Sequence, residues 1–358
     1  MAYLNPNITL DGNTINFSMP GTYEDYVDDD PQNSSSYSDD YNLQLDKALI
    51  FAMVFYSLTS LLGVTGNGLV IYFTTFRMKR SVTVVWFINL AIADFIFAFF
   101  QPLTIVYYAL YYGWPFGRFM CKLHREIFFM NLYVSVFLLT VISIDRCISV
   151  TCPVWSRNNR TLKLAYIVAA IVWILAFIFC LPYIIIGDTD FFDGNIICIF
   201  GTISDWDNAM FWQISLVISK FIASFLIPFT IIVSCYTILL FSIRRRQITT
   251  TSKPLKITVA VISSFFICWF PYHVLCFLEV FHMEKYDPLH KVVVIAAPLI
   301  SSLASVNSCV NPVLYVFMAQ DFKKTFSSSF QAIFERAFTE ESPQPDSGCQ
   351  TPAITSEL

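Results

Sequence analysis

Seven apolar stretches, near 47–76, 82–112, 121–151, 162–187, 209–243, 254–282 and 289–318, dominate this chain. A hydrocarbon core about 30 Å thick is crossed by about 20 apolar residues in helical form. Inside a bilayer each peptide N–H and C=O must be satisfied within the protein, and a single apolar segment achieves that only as a helix. The expected fold is an all-α membrane protein, a seven-transmembrane helix bundle. Composition agrees, since 56% of the 358 residues are hydrophobic and 13% charged, too few charges to cover a soluble domain of this size. An odd number of crossings leaves the termini on opposite sides.

Charge sets the orientation. Arg77, Lys79 and Arg80 follow the first stretch, Arg157, Arg160 and Lys163 the third, and Arg244, Arg245, Arg246, Lys253 and Lys256 the fifth. Such basic loops stay in the cytoplasm. Residues 1–46 instead carry acids and neither Lys nor Arg, and they are expected to form an extracellular, disordered arm. The start, MAYLNPNITL, has no basic and apolar leader, so the first span is expected to direct its own insertion. Asn7, Asn16 and Asn33 begin glycosylation sequons in the arm, whereas Asn159 begins one in a basic inner loop, where it stays bare. The organisation expected is an arm over 1–46, a membrane domain over 47–320, an amphipathic surface helix over 321–335 and a Ser/Thr-rich cytoplasmic tail over 336–358. The helix is suggested by Phe322, Lys323, Lys324, Phe326, Phe330 and Phe334.

Ionisable groups at hydrocarbon depth cost about 2.5–3.5 kcal/mol each on insertion scales, so each is a functional candidate. Asp94 lies deep in the second span. It is either a neutral acid that joins helices by hydrogen bonds or a carboxylate in a small polar cavity that holds a cation. Lys220 lies in the fifth span, eight residues before Pro228, about 16 Å along the helix from its outer end. Snorkelling, an internal Glu partner, or a water-filled cavity where the ammonium meets an anion are the three readings, and the third is preferred. Pro228, Pro271 and Pro312 interrupt three spans, and each removes a helical hydrogen bond and permits a bend. Asn307, Ser308 and Asn311 stand beside the last of them.

These residues occur together with Asn67 in "GN", "LAIAD" at 90–94, Trp114, "DRC" at 145–147, Trp173, "CWFP" at 268–271 and "NPVLY" at 311–315. The pattern, over about residues 50–325, resembles the rhodopsin-like (class A) G-protein-coupled receptors. Within them "DRCISVTCPVWSRNNRTLKLAY", "KPLKI", "CWFPYH" and "YVFMAQDFKK" resemble the chemoattractant peptide branch, the chemerin receptors most and the formyl-peptide receptors next. Cys147 replaces the Tyr of the wider family, as in that branch. An acid expected near Thr250–Lys253, which elsewhere pairs with the residue matching Arg146, is missing.

The resemblance implies roles residue by residue. Cys121 and Cys198, both on the outer, oxidising side, are expected to pair as a disulfide. Asp94, Ser135, Asn307 and Asn311 are expected to form a sodium pocket; no other cofactor is expected. Val136, Pro228, Phe265 and Trp269 are expected as a packing switch, with Asp145, Arg146, Tyr236, Asn311, Pro312 and Tyr315 as the rearranging inner contacts. Lys220 is expected to receive a peptide carboxylate, with Glu279, His273, Phe129 and Arg125 around it. Glu279, and the adjacent Arg125 and Glu126, also fit a merely solvated rim. Formyl-peptide receptors carry an acid where Phe129 stands and a second base where Leu216 stands, which speaks against a formyl-methionine ligand.

The function expected is thus a plasma-membrane receptor for a chemoattractant or adipokine-like peptide or small basic protein, with its N-terminus outside and C-terminus inside. Its implied partners are an inhibitory-type heterotrimeric G protein, arrestin and membrane lipids, not nucleic acid. The acidic arm suits a basic ligand captured by long-range attraction. Tyr23, Tyr26, Tyr37 and Tyr41 beside its acids are either sulfation sites or incidental. A non-signalling scavenger of the same ligand is the alternative within the family. A transporter or channel is the alternative outside it, though paired half-helices are not apparent. No H-E-x-x-H or G-x-S-x-G occurs, and an enzyme is not expected.

Overall fold

The first apolar stretch folds as helix α1, Pro31–Phe76, in a computed structural model that describes residues 31–192, 195–200, 206–245, 253–281 and 288–318. Helix α1 therefore begins within the segment expected to be a disordered arm. Leu45 and Leu49 are buried against Tyr56, Tyr108 and Val294, and this apolar contact draws helix beyond the membrane stretch itself. Helices α2 (Val82–Ala109), α3 (Gly117–Thr151), the short α4 (Pro153–Asn159) and α5 (Leu162–Ile186) follow. Ser81 and Thr161 cap α2 and α5, each accepting from the backbone N–H three residues on. Pro153 opens α4, where its missing N–H removes no helical bond.

Strands β1 (Gly187–Phe192) and β2 (Asn195–Phe200) form an antiparallel hairpin in which Thr189 faces Cys198. The Cys121–Cys198 disulfide, with Cα atoms 5.7 Å apart, ties this hairpin to the head of α3. Trp114 reinforces it by donating its backbone N–H to Ile196 O at 2.7 Å. The turn that presents Trp114 contains Tyr111 and Tyr112 at φ of +47° and +70°, a left-handed geometry that side chains resist. Backbone bonds from Tyr111 to Tyr108 O and from Tyr112 to Tyr107 O hold it in place. Asp46 of α1 accepts from the Tyr111 phenol, whose pKa that contact raises.

The fifth apolar stretch comprises α6 (Trp206–Phe221), a π-helical turn (Ile222–Leu226) and α7 (Ile227–Arg245). Pro228 cannot donate to Ser224 O and its ring presses on that carbonyl; a widened turn just before it relieves the conflict. Helices α8 (Lys253–Phe281) and α9 (Pro288–Met318) complete the bundle. Among the described residues seven helical segments are long and apolar enough to cross a membrane. The central one is α3, with 67% of its apolar window inside the protein against 22% for the α6–α7 span. Leu132, Leu138 and Leu139 of α3 pack there with Leu90, Phe265 and Trp269.

Asn7, Asn16, the helix expected over 321–335 and the tail over 336–358 lie outside the described residues. So do the side chains of Asn33 and Tyr315, whose backbones belong to α1 and α9.

Candidate functional site

At the outer end of the bundle, Gln213, Leu216, Val217 and Lys220 share one face of α6, being three, four and seven residues apart. Tyr272, Cys276, Glu279 and Val280 do the same on α8. With Arg125 and Phe129 of α3 and Tyr183 of α5 they line a cavity with about 470 Å³ of unfilled space, its mouth included.

Lys220 is 4% exposed, so it neither reaches lipid headgroups nor faces acyl chains. Its Nζ donates to Cys276 Sγ at 3.1 Å and lies over the rings of Phe129 and Tyr272 at 5.3 and 5.0 Å. Among the described residues no carboxylate lies within ion-pair distance of it. Ring faces return about 0.5–2 kcal/mol to an ammonium, while removing it from water costs several. The ammonium is therefore under-compensated by protein alone, on the wall of an open cavity. Arg125, 3% exposed, adds a second cation to that wall, and Glu279 adds an acid. Glu126 is buried outside the cavity lining, and neither carboxylate oxygen has a partner among the described residues.

His273 departs from expectation. It is 1% exposed and off the cavity wall, with Nε2 3.5 Å from Ser224 Oγ and its ring against Phe221 and Phe225. At 100° per residue it points about 120° away from Glu279, toward a different face of the helix. Tyr272, Cys276 and Gln213 are not among the residues expected at the site, although the same arithmetic places Tyr272 within about 20° of Glu279, and Gln213 within about 20° of Lys220.

Deeper in the bundle, Asp94 is fully buried. Asn131 donates to its Oδ1 at 2.9 Å and Asn311 to its Oδ2 at 2.7 Å. Ser135, Asn307 and Asn311, the other residues of the sodium pocket that the sequence suggests, are buried too, and Asn131 stands one turn above Ser135. Among the described residues, Ser135 Oγ and the side-chain oxygens of Asn131, Asn307 and Asn311 are buried without a partner. A carboxylate with several unengaged hard oxygens fits a small hard cation such as sodium. Asp94, Ser135, Asn131, Asn307 and Asn311 would hold it, and it would supply the charge that balances the carboxylate.

Between cavity and acid stands the ring cluster of the expected switch. Trp269 and Phe265 are fully buried with centroids 6.0 Å apart; Val136 and Pro228 are buried as well. Trp269 also meets Tyr272 of the cavity wall at 5.6 Å and Phe128 at 5.5 Å. At the inner end, Asp145 is held by both arms of Arg160, at 2.7 and 2.9 Å. Arg146 donates to Thr83 Oγ1 at 3.2 Å, the hydroxyl that also accepts from Arg160 at 3.0 Å. Tyr236 lies beside Ser143, Thr258 and Arg146. In the sequence Arg160 is only one of several loop cations; nothing in its spacing marks it as the partner of Asp145.

Known proteins are similar to this chain in sequence. The profile described as "7 transmembrane receptor (rhodopsin family)" matches residues 66–315. Chemerin-like receptor 1 of Sus scrofa is 42% identical over 316 residues, which cover 85% of this chain and 86% of that protein. The Homo sapiens Chemerin-like receptor 1 is 40% identical over 324 residues, 83% of this chain and 86% of its own length. Formyl peptide receptor 2 of Mus musculus is 39% identical over 316 residues, 85% and 90% of the two chains.

Proposed function

The chain belongs to the rhodopsin family of seven-transmembrane receptors, among receptors of the chemoattractant peptide type, and from that premise we propose that its outer cavity takes the carboxyl end of an extracellular peptide or small basic protein. The ligand class follows the named relatives, which are chemerin-like and formyl peptide receptors. The docking chemistry rests on one observation: Lys220 is buried on the cavity wall with no carboxylate of the described residues within ion-pair distance. A terminal carboxylate supplies the missing partner, and Arg125 stands on the same wall. Glu279 takes a donor from the ligand backbone or side chain. Phe129 replaces charge by ring surface and favours an apolar residue at the ligand tip.

The arm and the β1–β2 hairpin face outside, and the basic loops face the cytoplasm. A ligand that packs against Tyr272 acts on Trp269 through direct ring contact, and Pro271 between them lets the inner half of α8 swing. Only the difference in ligand contact between the two packings drives this change. At the inner end Arg160 occupies both oxygens of Asp145 and leaves Arg146 available to a G protein of the inhibitory type. Sodium in the Asp94 cluster biases the same equilibrium. Phosphorylation of the Ser/Thr-rich tail would then present an anionic surface to arrestin.

The test is binding of carboxyl-terminal peptides from basic chemoattractant proteins, each with a free and an amidated end. On the wild type, amidation weakens binding by about tenfold or more, the size of a charged hydrogen bond; on Lys220→Gln it changes little. Equal losses on both proteins reject the carboxylate pairing.

A further inference from the structure

We propose that Cys276 is a covalent attachment site for small anionic electrophiles, α,β-unsaturated carbonyl compounds that carry a carboxylate and enter the outer cavity. Cys276 is a free thiol on the cavity wall. Its Sγ accepts from Lys220 Nζ at 3.1 Å, so a positive charge stands beside the attacking sulfur. Arg125 on the same wall gives two cations against the one acid, Glu279, so the lining as a whole favours an anion.

A second feature of the cavity points to a ligand independently. Gln213 lines it, is 9% exposed, and has its Oε1 buried without a partner among the described residues. An acceptor left so calls for a donor the protein does not supply. Cys180, Cys268 and Cys309 are buried away from the cavity lining, and none of them contacts an ammonium among the described residues. The pairing of thiol and ammonium on an open wall thus singles out Cys276.

In the reaction the sulfur bonds to the β-carbon of the conjugated double bond. The π pair moves to the α-carbon, which takes the proton the thiol gave up, through Lys220 or water. Nothing is oxidised or reduced, and no group leaves. The adduct's carboxylate stays beside Lys220 and Arg125 and fills the space a peptide end would occupy. The bond itself does not depend on the peptide reading, because it is read by mass at one residue.

The experiment uses the full chain on intact cells and three maleimides of one reactivity class: anionic 4-maleimidobutyrate, neutral N-ethylmaleimide and cationic N-(2-aminoethyl)maleimide. Labelling is followed by mass spectrometry of the peptide that contains Cys276, with free glutathione as reference for intrinsic reactivity. Relative to glutathione, the anion should label Cys276 at least about tenfold faster than the cation, the scale of charge focusing in a cleft. Lys220→Gln should reduce that preference severalfold, Lys220→Arg should keep it, and Cys276→Ser should abolish the adduct. Absence of an adduct at Cys276, or a wild-type preference near one, overturns the proposal. So does a preference that Lys220→Gln leaves intact.

Discussion

Asn67 of α1 donates its side-chain amide to the carbonyl of Ser308 in α9 at 2.8 Å. Ser308 O is the oxygen that Pro312, four residues on, cannot serve, because proline has no N–H. One amide from another helix thus fills the gap the proline leaves. Asn67 also donates to Gly63 O at 2.9 Å, so the same side chain anchors itself to its own helix.

Replacing Asn67 by Ala should destabilise the bundle by about 1–3 kcal/mol, the penalty of an unsatisfied buried carbonyl. Pro312→Ala returns an N–H to Ser308 O, so the loss from Asn67→Ala should shrink in that background. Thermal melting of the detergent-solubilised single and double variants measures the coupling. Purely additive losses would contradict the assigned relationship.

Gly66 lets α1 reach α9 at this level. A Cβ there would lie 2.9 Å from Pro312 Cβ and 3.1 Å from its Cγ, closer than van der Waals contact allows. Gly66→Val should therefore lower surface expression and melting temperature more than Gly68→Val, whose added Cβ would meet only Phe95 at 3.4 Å.

The Asp145–Arg160 fork gives a signed prediction. With Arg160 changed to Gln, Asp145 keeps its electrostatic attraction for Arg146, which is then drawn from its partners at the inner surface. Ligand-stimulated GTPγS loading should fall about fivefold, a shift of about 1 kcal/mol, while ligand affinity changes little. Arg160→Lys should recover part of the loss, since lysine keeps the charge and loses the fork. Increased loading in Arg160→Gln would reverse the assigned role. The same assay separates a signalling receptor from a scavenger.

Sodium supplies another test. If the ion binds at Asp94, replacing choline by sodium at equal ionic strength should raise the melting temperature of the wild type by linkage. Asp94→Asn keeps the side-chain shape and removes the charge, and should abolish the effect. A sodium response that persists in Asp94→Asn places the ion elsewhere.

What the sequence discloses is what a single helix discloses: its span, its breaks and which groups are expensive within it. The seven crossings, the proline breaks and the depth of Lys220 in its span need no partner helix to be seen. Residues defined by facing another helix are harder. Asn131 reads as one more polar residue until Asp94 is set beside it, and Arg160 belongs to a loop whose path follows from the packing of α3 on α5. His273 is different, for its rotation away from Glu279 follows from 100° per residue within one helix and involves no neighbouring element. The early start of α1 is hidden because Leu45 and Leu49 are buried in a cluster that includes Tyr108 and Val294, far along the chain. The π-helical turn before Pro228 likewise depends on local strain that apolar patterning does not register.

The central claim is that Lys220 meets a negative end group of the ligand and that this contact reaches the inner surface through Tyr272 and Trp269. Its most direct measurement is a reciprocal charge exchange read by GTPγS loading, with one peptide ending in a carboxylate and a matched peptide ending in an amine. The wild type should respond to the carboxylate and hardly to the amine, and Lys220→Glu should respond to the amine in preference to the carboxylate. If Lys220→Glu reaches the surface yet ranks the two peptides as the wild type does, the cavity reads the ligand by some other contact.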